Sequence, residues 1–124
     1  MTFILGFAYT RQVIHAECGG SLQSYLPRKD GIVVAACLDA QLNPRAPTEI
    51  LCGSGPGVRQ AGDLLARQTA PIPIFIKQAA NRWIYQGWFQ ITDSFTEPAD
   101  CVPYLTGSGR DQATISRVIL LKLI

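Results

Sequence analysis

Glycine and proline interrupt this chain at short intervals, and that spacing constrains its fold more than any other feature. Eleven glycines and eight prolines are spread over 124 residues, and they cut the sequence into the short segments that are typical of a small β-rich domain. Of the residues, 48% are hydrophobic and 16% are charged. A chain of this length and composition can bury a core of its own, so we expect a single domain over residues 1–124.

The pattern between these breaks predicts two helices. Residues 11–18 read as a short helix that the pair Gly19 and Gly20 ends. A second helix begins near Pro56, and one apolar stripe follows it at helical spacing. The stripe comprises Val58, Ala61, Leu64 and Leu65.

Five segments have the composition of strands. Residues 31–38 and 49–52 read as two buried strands. Residues 74–77 and 82–85 predict a β-hairpin whose second arm continues to residue 91, with a bulge or a close approach at Gly87. Residues 114–124 read as a last strand. We therefore expect the α+β class, with a small curved sheet or barrel and two flanking helices.

Charge and hydropathy exclude several classes of protein. Eleven basic and nine acidic residues give a net charge of +2, with no run of like charges, so any nucleic acid must be held locally rather than by a large basic field. The longest apolar stretches, 3–8, 31–38 and 118–124, are far shorter than the ~20 residues that span a bilayer. With no secretory leader at the N-terminus, we expect a cytoplasmic protein without a membrane partner.

Few residues have the types and spacing that catalysis needs. The four cysteines form no C-x-x-C pair and His15 is the single histidine, so we expect no metal, no cofactor and no catalytic residue. Enzymatic activity is therefore less expected than binding. A hydrolase using His15 with Glu17 or Cys18 remains an alternative, beside the commoner structural role of a lone histidine.

A glycine-rich loop is a weak candidate for phosphate binding. Residues 53–57 have the sequence Gly-Ser-Gly-Pro-Gly and lead into the second helix, where backbone N–H groups can hold an anion. The loop has neither the ending of a P-loop nor the spacing of a dinucleotide fingerprint. An ordinary turn with a helix cap is the simpler interpretation.

Aromatic side chains alternate with cations on the predicted hairpin, a combination that suits an unstacked base. Trp83, Tyr85 and Trp88 follow Lys77 and Arg82, and each stacked base is worth ~1–3 kcal/mol. Hairpin aromatics are also commonly core residues. Tyr25 is different, because the polar loop 19–27 offers it few apolar neighbours.

Two sets of motifs resemble a known family. The first is Tyr9-Thr-Arg-x-x-Ile-His15 with Gly19-Gly-Ser-x-Gln-Ser-Tyr-Leu-Pro27, and the second is Ile74-Phe-Ile-Lys77 with Trp83-x-Tyr-x-Gly87. Together they resemble the SRA-like (YDG) modules that precede His-Asn-His nuclease domains in bacterial modification-dependent restriction enzymes. The likeness spans about residues 6–91 and implies a PUA-like curved barrel. The Tyr-Asp-Gly signature and a nuclease motif are absent, which leaves three alternatives: a stand-alone reader, a reader that acts with a separately encoded nuclease, and a domain that has changed to another ligand.

The resemblance implies recognition of DNA that carries a modified base, with the base flipped into a pocket and stacked on an aromatic ring. Arg11, Arg28, Lys29 and Arg82 are candidates for phosphate contacts. The resemblance and the aromatic pattern together predict a nucleic-acid site of His15, Gly19, Gly20, Ser21, Gln23, Tyr25, Lys77, Arg82, Trp83, Tyr85 and Trp88. The alternatives are an RNA-binding domain of the PUA, EVE or ASCH kind, the hydrolase using His15, and a protein-interaction module.

Overall fold

A computed structural model describes residues 3–124; Met1 and Thr2 of the predicted domain lie outside this range. The chain has the α+β fold that the sequence predicts. Its helices are α1 (Arg11–Cys18), α2 (Pro56–Arg67) and α3 (Pro98–Leu105), with a 3-10 turn at Gln112–Thr114. Its strands are β1 (Ala8–Tyr9), β2 (Arg28–Lys29), β3 (Ile32–Val33), β4 (Ala36–Leu38), β5 (Glu49–Gly53), β6 (Ile72–Ala79), β7 (Arg82–Phe95) and β8 (Ile115–Leu123).

The main sheet is mixed and open. Its strand order is β4-β6-β7-β8-β5, with β1 also paired to β7, while β2 and β3 form a separate two-stranded ladder. β4 runs parallel to β6, and the other pairs are antiparallel. Among the described residues no pairing joins the edge strands β4 and β5, so the expectation of a closed barrel is wrong.

The predicted strand 31–38 is broken into β3 and β4. Both backbone groups of Val33 bond to a side chain: Val33 N–H donates to Gln68 Oε1 at 3.1 Å, and Gln68 Nε2 donates to Val33 O at 2.9 Å. Val34 N–H then donates to Pro27 O. These partners lie outside the main sheet, so only β4 continues into it. β4 is fully buried, as the sequence predicts.

Helices α1 and α2 confirm the predicted pair. The Thr10 hydroxyl accepts from Val13 N–H at the start of α1, and Gly19 N–H donates to His15 O at its end. Gly55 is the N-cap of α2, and Ala61 and Leu65 of the predicted stripe are buried. Val58 of the same stripe is 38% exposed, because it lies in the first turn of α2, at the rim of the cavity described below.

Helix α3 has no counterpart among the two predicted helices, so that count is wrong. Pro103 lies inside this eight-residue helix, where it removes a backbone hydrogen bond and argues against a helix from sequence. The compensation is tertiary. Cys101 and Leu105 are buried in a cluster with Leu51 and Val118 of the sheet.

The hairpin forms as predicted, and Trp83 and Tyr85 lie on its second strand near a bulge. Lys77 pairs with Trp83 across the strands, and the register shifts between Ile74 and Phe75, opposite Gly87 and Tyr85. Gly87 has φ +109°, and a Cβ there would lie 2.9 Å from Leu123 Cδ1. The bulge and the close approach at Gly87 are both confirmed, and β7 extends to Phe95 rather than to residue 91.

Alternate residues of the strands enter different clusters of the core. Ile50 and Cys52 pack in the cluster that contains Leu65 of α2, whereas Leu51 between them packs with α3. A further cluster joins Ile14 of α1 to the hairpin. The helices are thereby distributed over both faces of the sheet, and α1 and α3 cover separate parts of it.

Candidate functional site

A cavity of about 620 Å³ is lined by residues of both edge strands of the sheet. Cys37 of β4 and Leu51 of β5 both line it. Its volume lies in the ~300–1,000 Å³ range of small-ligand sites. We call it the cationic cavity, because its lining includes four basic residues and one acidic residue: Arg11, Arg28, Lys77, Arg110 and Asp39.

Arg11 holds the polar loop against the hairpin. Its backbone N–H donates to Asn81 Oδ1 at the hairpin turn, and its Nη2 donates to both Ser21 O and Ser24 O at 2.9 Å. The residue is only 7% exposed, and its Nε has no hydrogen-bond partner. A buried guanidinium therefore contributes both to loop structure and to the charge of the cavity wall.

Trp83 lies beside two cations. Arg11 Cζ is 5.3 Å from the centroid of the Trp83 ring, and Lys77 Nζ is 5.8 Å from it. Both distances are within the range of cation–π attraction. The indole Nε1 is buried and has no hydrogen-bond partner. Arg11, Lys77 and Trp83 are called the Trp83 wall below.

Tyr25 bridges the polar loop and the start of α2. Its hydroxyl donates to Val58 O at 2.7 Å, and its carbonyl accepts from Cys37 N–H at 2.8 Å. Burial, followed by the nearby Cys52 thiol, raises the pKa of Tyr25. The phenol therefore stays neutral and keeps its hydrogen bond at ordinary pH, which holds the ring at the cavity.

The glycine-rich loop contributes Gly53 and Gly57 to the same lining. No side chain caps the N-terminus of α2 at Gly55, and its first turn contains no acidic residue. Free N–H groups and the helix dipole favour negative charge at such a position. Arg110 lies nearby, where its Nη1 donates to Leu42 O at 2.6 Å.

Four of the predicted nucleic-acid residues meet in the cationic cavity. Gln23 and Tyr25 come from the polar loop, and Lys77 and Trp83 come from the hairpin. These two segments are more than 50 positions apart in the chain, and the fold brings them to one place.

Four further predicted residues build the polar loop rather than line the cavity. His15 Nδ1 is 2.6 Å from Gly20 O, and the Ser21 hydroxyl accepts from the backbone N–H groups of Gln23 and Ser24. Gly19 ends α1. Gly20 has φ +82°, and a Cβ there would lie 2.7 Å from Pro27 Cβ, so only glycine is accommodated.

The remaining three predicted residues lie elsewhere on the hairpin. Arg82 Nε donates to Gln78 Oε1 at 2.6 Å. Tyr85 is buried, with ring centroids of Phe3 and Phe75 at 5.5 and 5.4 Å. Trp88 is 46% exposed and lines a different concavity.

That concavity, the Trp88 cleft, has a volume of about 450 Å³. Apolar residues dominate its lining, and Glu17 is the charged residue among them. Its described lining comprises Phe3, Glu17, Cys18, Ile32, Val33, Val34, Ala70, Pro71, Tyr85 and Trp88.

Sequence reasoning missed two charged residues of the cationic cavity. Asp39 follows β4, and Arg110 follows a turn after α3. Neither belongs to a motif, and both reach the cavity through loops. The position of Arg110 depends on α3, which the sequence pattern does not predict, so no local pattern could have identified it.

The cysteines are poor nucleophiles in this fold. All four are free. Burial raises the pKa of Cys37 to about 12 and that of Cys52 to about 11. Burial and the nearby Glu17 carboxylate also raise the pKa of Cys18, which disfavours the thiolate that a hydrolase using His15 and Cys18 would need.

Within residues 3–124, no three side chains of His, Cys, Asp or Glu converge on a position suited to a metal ion. None of the helices described is both long and apolar enough to cross a membrane. Comparisons with models of protein families, with curated proteins and with solved structures found no match to this chain.

Proposed function

We propose that this protein binds nucleic acid and holds one unstacked base in the cationic cavity, with DNA that carries a modified base as the favoured ligand. One observation carries the proposal: two distant segments supply aromatic rings and cations to one cavity of about 620 Å³. They are the same segments whose motifs resemble SRA-like modules.

The lining offers each kind of contact that an unstacked base requires. Trp83 and Tyr25 supply aromatic surface, and Gln23 supplies an amide for the base edge. Flipping costs a few kcal/mol, and stacking at ~1–3 kcal/mol per base offsets much of that cost. Arg28, exposed at the cavity, is suited to a flanking phosphate.

The distribution of charge supports a local mode of binding. The chain has a net charge of only +2, yet four of its basic residues line one cavity. A short stretch of backbone around one nucleotide would meet this charge. We therefore expect a shallow salt dependence, in keeping with few phosphate contacts.

A PUA-like fold of the SRA type is part of the proposal. The shared cavity supports it, because β4 and β5 both contribute residues to its lining, although these two strands do not pair. Edge strands that line one cavity are compatible with a sheet that curls toward a barrel.

The test is fluorescence anisotropy with labelled duplexes that differ only in one base, either unmodified or modified. We expect selective binding to a modified duplex. Trp83→Ala should weaken that binding about tenfold or more, because a stacking contact is lost. Trp88→Ala is the matched control, since it removes the same side chain from outside the cavity.

Circular dichroism and thermal unfolding would establish that both variants fold. Equal effects of Trp83→Ala and Trp88→Ala, or no binding to any nucleic acid, would refute the proposal. Absence of binding would instead favour the protein-interaction alternative.

RNA binding is tested in the same experiment with RNA strands of matched sequence. An RNA reader discriminates the sugar through its 2′-hydroxyl. Tighter binding to RNA than to every DNA probe would replace DNA by RNA as the ligand of this cavity.

A further inference from the structure

The lining of the cationic cavity also indicates the chemical class of its ligand. This inference rests on the proposed function. We propose that the base it accepts bears an acidic, acceptor-rich substituent, such as a carboxylate, rather than a neutral methyl group. The Trp83 wall is the part of the cavity that would recognise this substituent.

The balance of charge in the cavity favours an acidic substituent. The cationic cavity has four basic residues and one carboxylate, Asp39, whose Oδ1 already accepts from Gln41 N–H. Over residues 3–124, the ion pairs are Arg45 with Glu49 and Arg117 with Asp63. Neither pair includes a cation of the cavity, so four cations face the single carboxylate of Asp39 there.

The arrangement of cations at the Trp83 wall also favours an acidic substituent. Arg11 and Lys77 both lie within 6 Å of one indole ring. Two like charges near one ring repel each other. An anion bound beside them would add two attractions that offset this repulsion, whereas a methyl group would add none and would reduce the access of water to the cations.

The hydrogen bonds of the Trp83 wall favour the same kind of substituent. Arg11 Nε and Trp83 Nε1 are buried donors without partners, and Arg11 is more than nine-tenths buried. Buried donors in native proteins normally have acceptors. Lys77 is the exposed donor of this wall, and a carboxylate complements its charge and that of Arg11, whereas a methyl group does not.

The experiment compares three duplexes that are identical except at position 5 of one central cytosine, which carries a methyl, a carbamoyl or a carboxyl group. The carbamoyl group matches the shape of the carboxylate without its charge. We expect the carboxyl duplex to bind about tenfold more tightly than either other duplex, the ratio that one charge-assisted hydrogen bond supports.

Lys77→Met tests which residue reads the charge, because Lys77 is exposed at the Trp83 wall and its replacement keeps the aliphatic chain. We expect this variant to lose the preference for the carboxyl duplex. Lys122→Met is the matched control, since it removes the same charge from an exposed position on β8 outside the cavity. That variant should keep the preference.

The outcomes separate the two proposals. If the methyl or carbamoyl duplex binds as tightly as the carboxyl duplex and Trp83→Ala still weakens binding, the acidic substituent is wrong while the nucleic-acid site stands. A preference that survives Lys77→Met also overturns the assignment to the Trp83 wall. If no duplex binds to the folded wild-type protein, both proposals fail.

Discussion

The cationic cavity and the Trp88 cleft differ in chemistry although their linings contain similar kinds of residue. Each has a tryptophan of β7, a cysteine and residues of α1 in its lining. Trp83 lies beside Arg11 and Lys77, whereas the described lining of the Trp88 cleft contains no basic residue. Two tryptophans of the same strand therefore lie in surroundings of different charge.

The two ends of α1 account for part of this difference. Arg11 at the first position of the helix lines the cationic cavity, and Glu17 and Cys18 at the last turn line the Trp88 cleft. An eight-residue helix is about 12 Å long, which is enough to place opposite charges in separate concavities. One short helix thus contributes to two sites of different character.

Replacing Arg11, the basic residue that α1 contributes to the cationic cavity, should have the largest effect on stability. Arg11→Met deletes two hydrogen bonds to the carbonyls of Ser21 and Ser24, and we expect the free energy of unfolding to fall by about 2 kcal/mol. Urea denaturation measures this change. Arg82→Met, which loses an exposed bond to Gln78, should stay within about 0.5 kcal/mol of wild type. Equal losses in the two variants would contradict the role given to Arg11.

Alkaline pH should distinguish the cysteines of the two regions. Burial raises the pKa of Cys37 from 9.0 to about 12, so the folded state disfavours its thiolate. The stability that depends on the neutral thiol is complete below pH 9 and is lost as the pH rises toward 12. We expect the free energy of unfolding to fall from pH 9 to pH 11.

The same fall should be shallower in Cys37→Ala, as denaturation at several pH values would show. Cys18 of the Trp88 cleft is only partly buried, so Cys18→Ala should change the slope less. If Cys18→Ala reduced the pH dependence of the free energy of unfolding more than Cys37→Ala does, the alkaline loss of stability would belong to Cys18 rather than to Cys37.

Neighbouring cations on β2 offer a sharper test of binding. Arg28 lines the cationic cavity and Lys29 does not. For a duplex ligand, Arg28→Met should reduce the slope of log K against log salt concentration by about 0.9, because one phosphate contact is lost. Lys29→Met should leave the slope unchanged. Equal slopes in the two variants would show that Arg28, although it lines the cavity, contacts phosphate no more than Lys29 does.

Thiol labelling should give the smallest but most local readout. Cys18 is more accessible than the buried Cys37, so a maleimide should modify Cys18 first in the native protein. A bound duplex should slow the modification of Cys37 and leave that of Cys18 unchanged, as peptide mass spectrometry would measure. Protection of Cys18 alone would move the binding site to the Trp88 cleft.

Local patterns predicted the elements whose causes are local. Residues 11–18 form α1 because Thr10 and Gly19 cap it, and both caps act within one turn. The hairpin and the bulge beside Gly87 likewise follow from alternation and one glycine. The pairing of Tyr25 and Trp83 in one site was predicted from the aromatic pattern together with the family resemblance, since no spacing rule connects positions so far apart.

The sequence by itself determined the α+β class, two of the three helices and the hairpin, because caps, turns and alternating apolar residues act over a few positions. Only the tertiary structure decided that residues 31–38 divide into two strands, because the Gln68 side chain hydrogen-bonds to the backbone of Val33. The tertiary structure also decided that α3 forms despite Pro103. It also decided that Arg110 joins Trp83 while Trp88 does not. These outcomes depend on hydrogen bonds and burial between residues far apart in the chain, and such contacts exist only once the sheet has assembled.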